Sequence, residues 1–322
     1  MDRRSVSLRG LLQAAALLTL LFSLAMSVNV EHAWWQLFTH FRLQYFAASI
    51  LLAAALLLFR SRRFAGLMLA AAVVNGLYVV PWYLGDPSAV DGPVLRVMQF
   101  NVLARNDDYD RLLQLVERER PDVIVLQEVT AAWQRALGAL NSAYPHRLIL
   151  PREDNFGIAL LSRVPLNSVT QVESPPSRYP SIVANIDVEG TAVSLIGTHP
   201  TTPVTSSNYA SRNIQLQSVA ALASAASGPV VIVGDLNATL WDRRYAEVEA
   251  AANLRNARQG FGIKPTWPTF LPFAMIPIDH ILVSRHIGVA ALRTGPSIGS
   301  DHLPLFATLV IKPGPTPTRG PG

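Results

Sequence analysis

The sequence contains no cysteine, and Lys264 and Lys312 are its only lysines. The absence of thiols excludes disulfide bonds, and it is compatible with an oxidising compartment without requiring one. Charged residues are also scarce, at 15% of the 322 residues, whereas 50% are hydrophobic. This hydrophobic fraction is high for a soluble protein, and the excess is not evenly spread along the chain.

Three runs of sequence carry no charge at all: residues 11–28, 43–59 and 64–84. Each run is close to the roughly 20 apolar residues that span a bilayer core. Nothing polar alternates along the runs, as it would in a soluble helical bundle, which is the alternative interpretation. We therefore predict a membrane anchor with three transmembrane helices in residues 1–90. A cleaved signal peptide would also account for residues 1–28, where arginines precede the apolar run.

Arginine lies on one side of the predicted spans. Three arginines precede residue 10, and residues 60–63, between the second and third runs, read RSRR. The first link carries Trp34 and Trp35, which are typical of a membrane interface. The positive-inside rule places the N-terminus and the RSRR link in the cytoplasm. We therefore predict a multi-pass protein of the cell (inner) membrane, with everything after Trp82 on the extracytoplasmic side.

The net charge of +5 belongs to the predicted anchor. Residues 1–90 hold seven of the 27 basic and three of the 22 acidic side chains, which leaves 20 basic and 19 acidic ones in the remainder. A nearly neutral domain has no overall electrostatic footprint for DNA. We therefore expect nucleic acid to be a less favoured partner, and Arg243 and Arg244 are the best candidates for a local phosphate contact.

The remainder of the chain alternates between short β-rich runs and helical patterns. A linker at 85–93 precedes it, and the Pro/Gly-rich tail at 313–322 is predicted to be disordered. Locally paired strands with helices outside them predict a two-sheet α/β sandwich over residues 91–312. The predicted strands are 94–100, 123–127, 157–161, 182–187, 192–198, 230–234, 278–283 and 305–311, and the predicted helices are 107–120, 131–140 and 208–226.

Polar side chains stand at the ends of six of these strands. Each of them alone is explained by a turn, a cap or a buried hydrogen bond, since Asp and Asn commonly bond the backbone after a strand. Six strand ends that all deliver a carboxylate, amide or imidazole group instead predict a catalytic site. The residues are Asn101, Glu128, His199, Asp235, Asn237, Asp279, Asp301 and His302.

The stretches around these residues resemble the endonuclease/exonuclease/phosphatase superfamily, whose fold is like that of DNase I. In order they read FNV, PDVIVLQEV, FGIALLSR, GTH, VVIVGDLNA, PIDHILVS and GSDHLPL, and the resemblance covers roughly residues 94–312. It implies a four-layer α/β sandwich with the site at one end of two packed sheets. It also implies cleavage of phosphate esters with a divalent metal, Mg²⁺ or Mn²⁺. Substrates in the superfamily include DNA, RNA, inositol phosphates, sphingomyelin and other lipid phosphates.

The resemblance assigns Glu128 as a metal ligand, with Asn101 and Asp301 completing or orienting the metal shell. Mg²⁺ takes oxygen ligands and keeps several waters, so one or two carboxylates suffice to hold it. One departure from the family pattern lies nearby, since His280 stands where tyrosine is frequent. No catalytic position is lost.

The remaining positions are assigned to the phosphate and the attacking water. The resemblance places His302 at the scissile phosphate, with Asp279 orienting its ring as a carboxylate does in a catalytic triad. Asp235 would orient or deprotonate the water, and Asn237 and His199 would hold the phosphate oxygens as negative charge develops.

The substrate is not fixed by the fold, but the predicted anchor favours a membrane lipid. The layout resembles that of membrane-anchored phosphatases linked to teicoplanin resistance, which implies a phosphate ester or pyrophosphate of a lipid. An extracytoplasmic endonuclease or exonuclease is the alternative, and a non-catalytic membrane-tethered binding module is the second alternative. The apolar stretch at 266–277 favours lipid if it faces the membrane, and it is equally explained by packing on the core.

Overall fold

The computed structural model describes residues 7–28, 30, 32–85 and 91–312. These residues form a bundle of apolar helices followed by an α/β domain. The predicted disordered tail and most of the predicted linker lie outside the described residues, as do Arg3 and Arg4.

The described residues of the anchor region form four α-helices rather than the three that were predicted. These helices are α1 (Leu8–Ala25), α2 (Ala33–Thr39), α3 (Arg42–Leu58) and α4 (Arg62–Val79), and a 3-10 turn at Val80–Tyr83 continues α4. Helix α1 and the combined segment Arg62–Tyr83 are long and apolar enough to cross a membrane. Helices α2 and α3 make a third span only if the pair, bent by 53°, is counted as one.

The prediction of three spans is therefore supported in part: two helices are suited to cross a membrane, and a third span is present only if the bent pair counts as one. The difference arises in the first link, which was predicted as an interfacial connection. That link folds into α2, because the segment AWWQLFT contains neither proline nor glycine to stop a helix. Trp34 on this helix is 62% exposed.

Polar contacts define the two ends of the helical bundle. At one end, the Arg42 guanidinium donates to the Met26 carbonyl at 2.6 Å, which joins the start of α3 to the end of α1. At the other end, the Gln13 side chain donates to the Ser61 hydroxyl at 3.0 Å. The arginine-rich residues 60–63 therefore lie at the second end of the bundle.

Within residues 91–312, twelve strands form two six-stranded sheets. The first sheet has the order β11-β12-β1-β2-β4-β3, and the second has the order β5-β6-β7-β8-β10-β9. The strands are β1 (Val94–Asn101), β2 (Val123–Gln127), β3 (His146–Leu150), β4 (Ile158–Ser162), β5 (Leu166–Ser174), β6 (Tyr179–Val188), β7 (Thr191–Gly197), β8 (Val230–Asp235), β9 (Leu254–Asn256), β10 (Asp279–Ser284), β11 (Ile287–Thr294) and β12 (Leu305–Ile311).

Helices cover the outer face of each sheet. The helices of the domain are α5 (Tyr109–Glu119), α6 (Ala131–Ala136), α7 (Ser206–Ala225) and α8 (Arg243–Ala251). Buried Trp133 and Leu112 pack α6 and α5 on the first sheet, and Leu216 and Tyr245 pack α7 and α8 on the second. Between the sheets, side chains such as Val125 and Val231 form a common core.

The predicted two-sheet α/β sandwich is confirmed, and all eight predicted strands and three predicted helices are present. Strands β3, β5, β9 and β11 and helix α8 were not predicted. Strand β5 shows the reason, since its sequence LNSVTQVES lies mostly exposed at a sheet edge and offers no apolar run. Such edge strands are ordered by their partner rather than by their own burial.

The domain packs against the end of the bundle that is opposite to residues 60–63. The imidazole Nδ1 of His40, between α2 and α3, lies 2.9 Å from the Thr239 hydroxyl. The Gln44 side chain donates to the Met275 carbonyl at 2.7 Å, and the Trp241 indole donates to the Tyr78 carbonyl at 3.0 Å. These contacts make the helical region a fixed neighbour of the domain.

Candidate active site

The predicted site residues lie at one end of the two sheets. Strands β1 and β2 are parallel in the first sheet, so Asn101 and Glu128 emerge together. Strands β7 and β8 are parallel in the second sheet, so their ends deliver His199 and Asp235. Strand β10 runs antiparallel to β8 and starts with Asp279 directly opposite Asp235. Asp301 and His302 lie in the loop before β12.

Asn101 joins the two halves of the site. Its buried side-chain nitrogen donates to the Glu128 carboxylate at 3.0 Å and to the Asp235 carboxylate at 3.2 Å. Its side-chain oxygen accepts a hydrogen bond from the Leu103 amide at 3.1 Å. The carboxamide therefore fixes a carboxylate from each sheet.

His302 and Asp279 form a buried ion pair. The Nδ1 atom of His302 lies 2.9 Å from Asp279 Oδ2, and Gln99 donates to the other carboxylate oxygen at 2.7 Å. Burial alone would lower the pKa of His302, but Asp279, Asp235 and Asp301 overcome it and raise the pKa to about 9. Burial alone would raise the pKa of Asp279, but His302 lowers it to about 2. The imidazole is therefore charged near neutral pH.

Asp235 occupies the centre of the site. Its Oδ2 atom lies 3.6 Å from His199 Nε2 and 3.7 Å from His302 Nε2. Burial, assisted by the charge of Asp279, raises the pKa of Asp235 to about 6, against the opposing effect of the two histidines. A carboxylate with a pKa near the working pH is suited to accept a proton during catalysis.

The backbone at the site adopts conformations that are uncommon for residues other than glycine. Glu128 has φ +60° and Asn237 has φ +49°, which are left-handed values that the surrounding structure has to enforce. Gly234 lets β8 approach the end of β7, because a Cβ atom there would lie 1.9 Å from the Thr198 carbonyl oxygen. These turns aim the side chains that follow β2 and β8 at the space between the sheets.

Asn237 and His199, which were predicted to hold the phosphate oxygens, also contact groups outside the centre of the site. One N–H of the Asn237 carboxamide goes to the Pro200 carbonyl at 2.9 Å, which leaves its second N–H for another partner. The His199 ring lies 5.4 Å from the Phe156 ring, and its Nδ1 atom is buried without a hydrogen-bond partner among the described residues. Both side chains nevertheless line the same pocket as Asp235.

Oxygen atoms suited to a hard dication are present where the metal was predicted. One carboxylate oxygen of Asp301 accepts a hydrogen bond from the Trp267 indole at 3.0 Å. Its other oxygen is buried without a hydrogen-bond partner among the described residues and lies 4.0 Å from His302 Nε2. Glu128 lines the same pocket. A second candidate group, Asp235, Asp279 and His302, brings its ligand atoms within 4.8 Å of one another. The first group is better suited to Mg²⁺, because its acids offer only oxygen atoms, whereas the second includes a histidine.

The pocket that holds these side chains has a volume of about 340 Å³. Several lining residues were not predicted: Arg105 and Trp267 from the domain, and Leu37 and His40 from the anchor region. Trp267 lies in the apolar stretch at 266–277 that the sequence had singled out. Nothing marked the other three, because they come from a loop and from the first link. Helix α8 turns Arg243 and Arg244 towards Glu247 at 2.9 and 2.8 Å, and neither arginine lines this pocket. Arg105 therefore replaces them as the candidate phosphate contact.

Comparison with known families agrees with this arrangement. A family model described as endonuclease/exonuclease/phosphatase family matches residues 98–302. The chain belongs to this family. The matched range runs from β1 to His302 and contains all eight predicted site residues. Proteins of this family are hydrolases that act on phosphate-ester bonds. A search of curated proteins finds no match.

This chain matches several solved structures of the same fold over nearly the whole length of those structures. A humanized D. rerio TDP2 matches with a TM-score of 0.59 and 20% identity, over 67% of this chain and 98% of that one. The human Nocturnin catalytic domain with bound sulfate has a TM-score of 0.56 and 21% identity, over 72% and 99%. Sphingomyelinase C from Streptomyces griseocarneus has a TM-score of 0.51 and 20% identity, over 67% and 99%. Likeness at this identity establishes the fold.

Proposed function

We propose that the protein is a divalent-metal-dependent phosphoesterase that hydrolyses a phosphate ester or pyrophosphate of a membrane lipid on the extracytoplasmic side. The observation that carries the lipid assignment is the composition of the pocket wall. Leu37 and His40, from the apolar helical region, line the same pocket as Asp235 and His302. A substrate held in the membrane is therefore the one that this pocket meets at the highest effective concentration.

In this proposal the buried polar groups divide the chemistry between them. Asp235, with its pKa raised to about 6, accepts the proton of the attacking water. His302, kept charged by Asp279, stabilises negative charge on the phosphate oxygens. His199 and the second N–H of Asn237 hold the same oxygens. Asp279 acts as a positioning residue, because it touches the imidazole rather than the substrate.

Glu128 and Asp301 would hold Mg²⁺ or Mn²⁺, and Asn101 would orient Glu128 through the hydrogen bond from its side-chain nitrogen. When bound, such an ion neutralises charge on the phosphate and polarises its oxygens. The two carboxylates suit a hard cation that keeps several of its waters.

The extracytoplasmic side is supported by the position of the arginines. Residues 60–63 lie at the end of the helical bundle that is opposite to the domain, and basic loops remain in the cytoplasm. We expect an alkaline phosphatase fusion after Gly322 to be active and a GFP fusion at the same place to be dark. A fluorescent GFP fusion with an inactive phosphatase fusion would reverse the topology.

An extracytoplasmic nuclease is the second candidate function. Its support is the fold, since D. rerio TDP2 complexed with a single strand DNA product matches with a TM-score of 0.58 and 18% identity. The nearly neutral charge of the domain speaks against it, because duplex DNA binding depends on many basic contacts that displace counterions. No observation favours a non-catalytic binding module.

The two enzymatic functions are separated by competition in one tube. The full-length protein is placed in liposomes that carry a polyprenyl pyrophosphate, with Mg²⁺ and with plasmid DNA at an equal concentration of phosphate. Release of phosphate from the lipid should outpace nicking of the plasmid, and EDTA should stop it. Nicking that outpaces phosphate release would reject the lipid function and support the nuclease.

A further inference from the structure

Three segments frame the mouth of the active-site pocket. Helix α2 and the residue after it contribute Leu37 and His40 to the lining. The loop after β7 contributes residues 202–204, and the loop before β10 contributes Trp267 and Ile276. The first segment belongs to the apolar helical region, whereas the other two belong to the domain.

All three segments also expose large apolar side chains to the outside. In the described part of residues 91–312, six large apolar side chains are exposed, and four of these lie on the two framing loops. Phe270 is 71% exposed and Phe273 is 77% exposed, and Leu271 and Val204 complete the four. Scattered exposed apolar residues are normal, but such a concentration around one opening indicates a contact surface.

The exposed loop is tied to the helical region at its base. Met275, two residues after Phe273, accepts the hydrogen bond from Gln44 in the first turn of α3 at 2.7 Å. On α2, Trp34 is 62% exposed, and aromatic residues of this kind occur at the boundary between lipid and water. The helical region and the loop therefore present apolar surface on either side of one opening.

We infer that α2 and the loop at 267–276 form an interfacial mouth, through which the hydrocarbon chain of a membrane lipid passes while its phosphate head group lies in the pocket. This inference rests on the proposed function. Leu37 and Trp267, which line the pocket, contact the first carbons of the chain. Trp34, Phe270 and Phe273 contact the bilayer interface or the more distant carbons. The anchor thereby supplies part of the specificity of the site, beyond holding it at the membrane.

The test compares two substrates with the same head group and different chains. The full-length protein in phosphatidylcholine liposomes is given farnesyl diphosphate, which partitions into the bilayer, or the short and soluble dimethylallyl diphosphate. The wild type should prefer the long chain in kcat/KM. Phe270→Ser with Phe273→Ser should lower the ratio of the two kcat/KM values by about tenfold, because two phenyl rings no longer contact lipid or chain. The change should fall mainly on KM for the long chain.

A second variant and a matched control keep the test specific. Trp34→Ser should lower the same ratio by a few-fold, which would place α2 at the mouth. Ile214 lies on α7 and is 41% exposed, and Ile214→Ser should leave the ratio unaltered. If the wild type prefers the long chain and the loop and α2 variants keep that preference, the inference of an interfacial mouth is wrong and the lipid function still stands. A wild type without preference for the long chain would overturn the lipid function together with the mouth.

Discussion

The two sheets contribute different chemistry to one site. The ends of β1 and β2 in the first sheet offer Asn101 and Glu128, the residues predicted for the metal side. The second sheet offers Asp235 and Asp279, with His199 beside them. The first sheet therefore carries most of the predicted metal side, and the second carries most of the acids and histidines proposed to act on the water and the phosphate.

Neither sheet holds a complete site. Asn101 donates across the gap to Asp235, and Gln99 donates across it to Asp279. His302 belongs to a loop that leads into the first sheet, yet its ring pairs with Asp279 of the second. Face-to-face packing of the sheets is thus a condition for catalysis as well as for stability.

The largest effect is expected from the pair that crosses between the sheets. His302→Ala should lower kcat by on the order of 10²–10³-fold, the range for loss of one group that stabilises developing negative charge. Asp279→Asn should act through the same imidazole, so the double variant should be little worse than the worse single one. Added Mn²⁺ should not restore either variant, because neither residue is assigned to the metal.

The measurement is a double-mutant cycle on kcat for the lipid substrate, with melting temperatures recorded for each variant. His146→Ala, on strand β3, is the control, since His146 is only half-buried and lies at the far edge of the first sheet. Losses that multiply in the double variant would show that His302 and Asp279 have separate tasks.

The next effect concerns the metal side of the first sheet. Glu128→Gln keeps the shape and the acceptor for the Ala104 amide, but it removes the charge and the oxygen that accepts from Asn101, so activity with Mg²⁺ should fall about 10²-fold. Unlike the His302 variant, it should recover in part at higher Mn²⁺ concentration, because the loss lies in metal affinity. A metal titration of kcat/KM measures this. Glu117→Gln, at an exposed position on α5, is the control, and activity that survives EDTA would contradict the assignment.

Much of the fold and of the site residues could be predicted from the sequence, because strand ends have local signals. Val230 to Val233 is an apolar run that ends in Gly234 and Asp235, and the structure has β8 there. The residues Asn101, Asp235 and His302 were predicted separately, and the structure brings their side chains into one network. Their catalytic roles remain predictions.

One side of the mouth, the loop at 267–276, lies in the apolar stretch that the sequence had singled out, but the α2 side could not be predicted. Leu37 and His40 lie in a segment whose composition suits a membrane interface, and only the packing of α2 on the domain turns them towards Asp235. Arg105 lies in a loop with no pattern. Gln99 did carry a signal, since a polar residue within the buried strand VLRVMQFN requires a partner.

The smallest expected effect is on stability rather than on activity. It arises from buried polar side chains next to the site, in which the two sheets also differ. The first sheet buries the amides of Gln99 and Gln127, which do not titrate and hydrogen-bond each other at 2.8 Å. The second sheet buries His280, whose ring nitrogens lie 2.7 Å from the Ala238 carbonyl and 2.9 Å from the Asn256 side chain. Burial, assisted by the charge of Arg258, lowers the pKa of His280 to about 3.

His280 should therefore make the folded protein sensitive to acid. Because its pKa is lower in the folded state than the unfolded value of about 6.5, only the unfolded state takes up a proton as the pH falls below that value. The stability is complete above pH 6.5 and is lost progressively towards pH 3, by roughly 2 kcal/mol between pH 7 and pH 5. His280→Gln cannot be protonated, so its melting temperature in detergent should fall less than that of the wild type between these pH values. Asp235 is unchanged in both proteins, so its own titration cancels in the comparison. Equal pH dependence in the two proteins would show that the ring is charged in the folded state or that the second sheet opens before it unfolds.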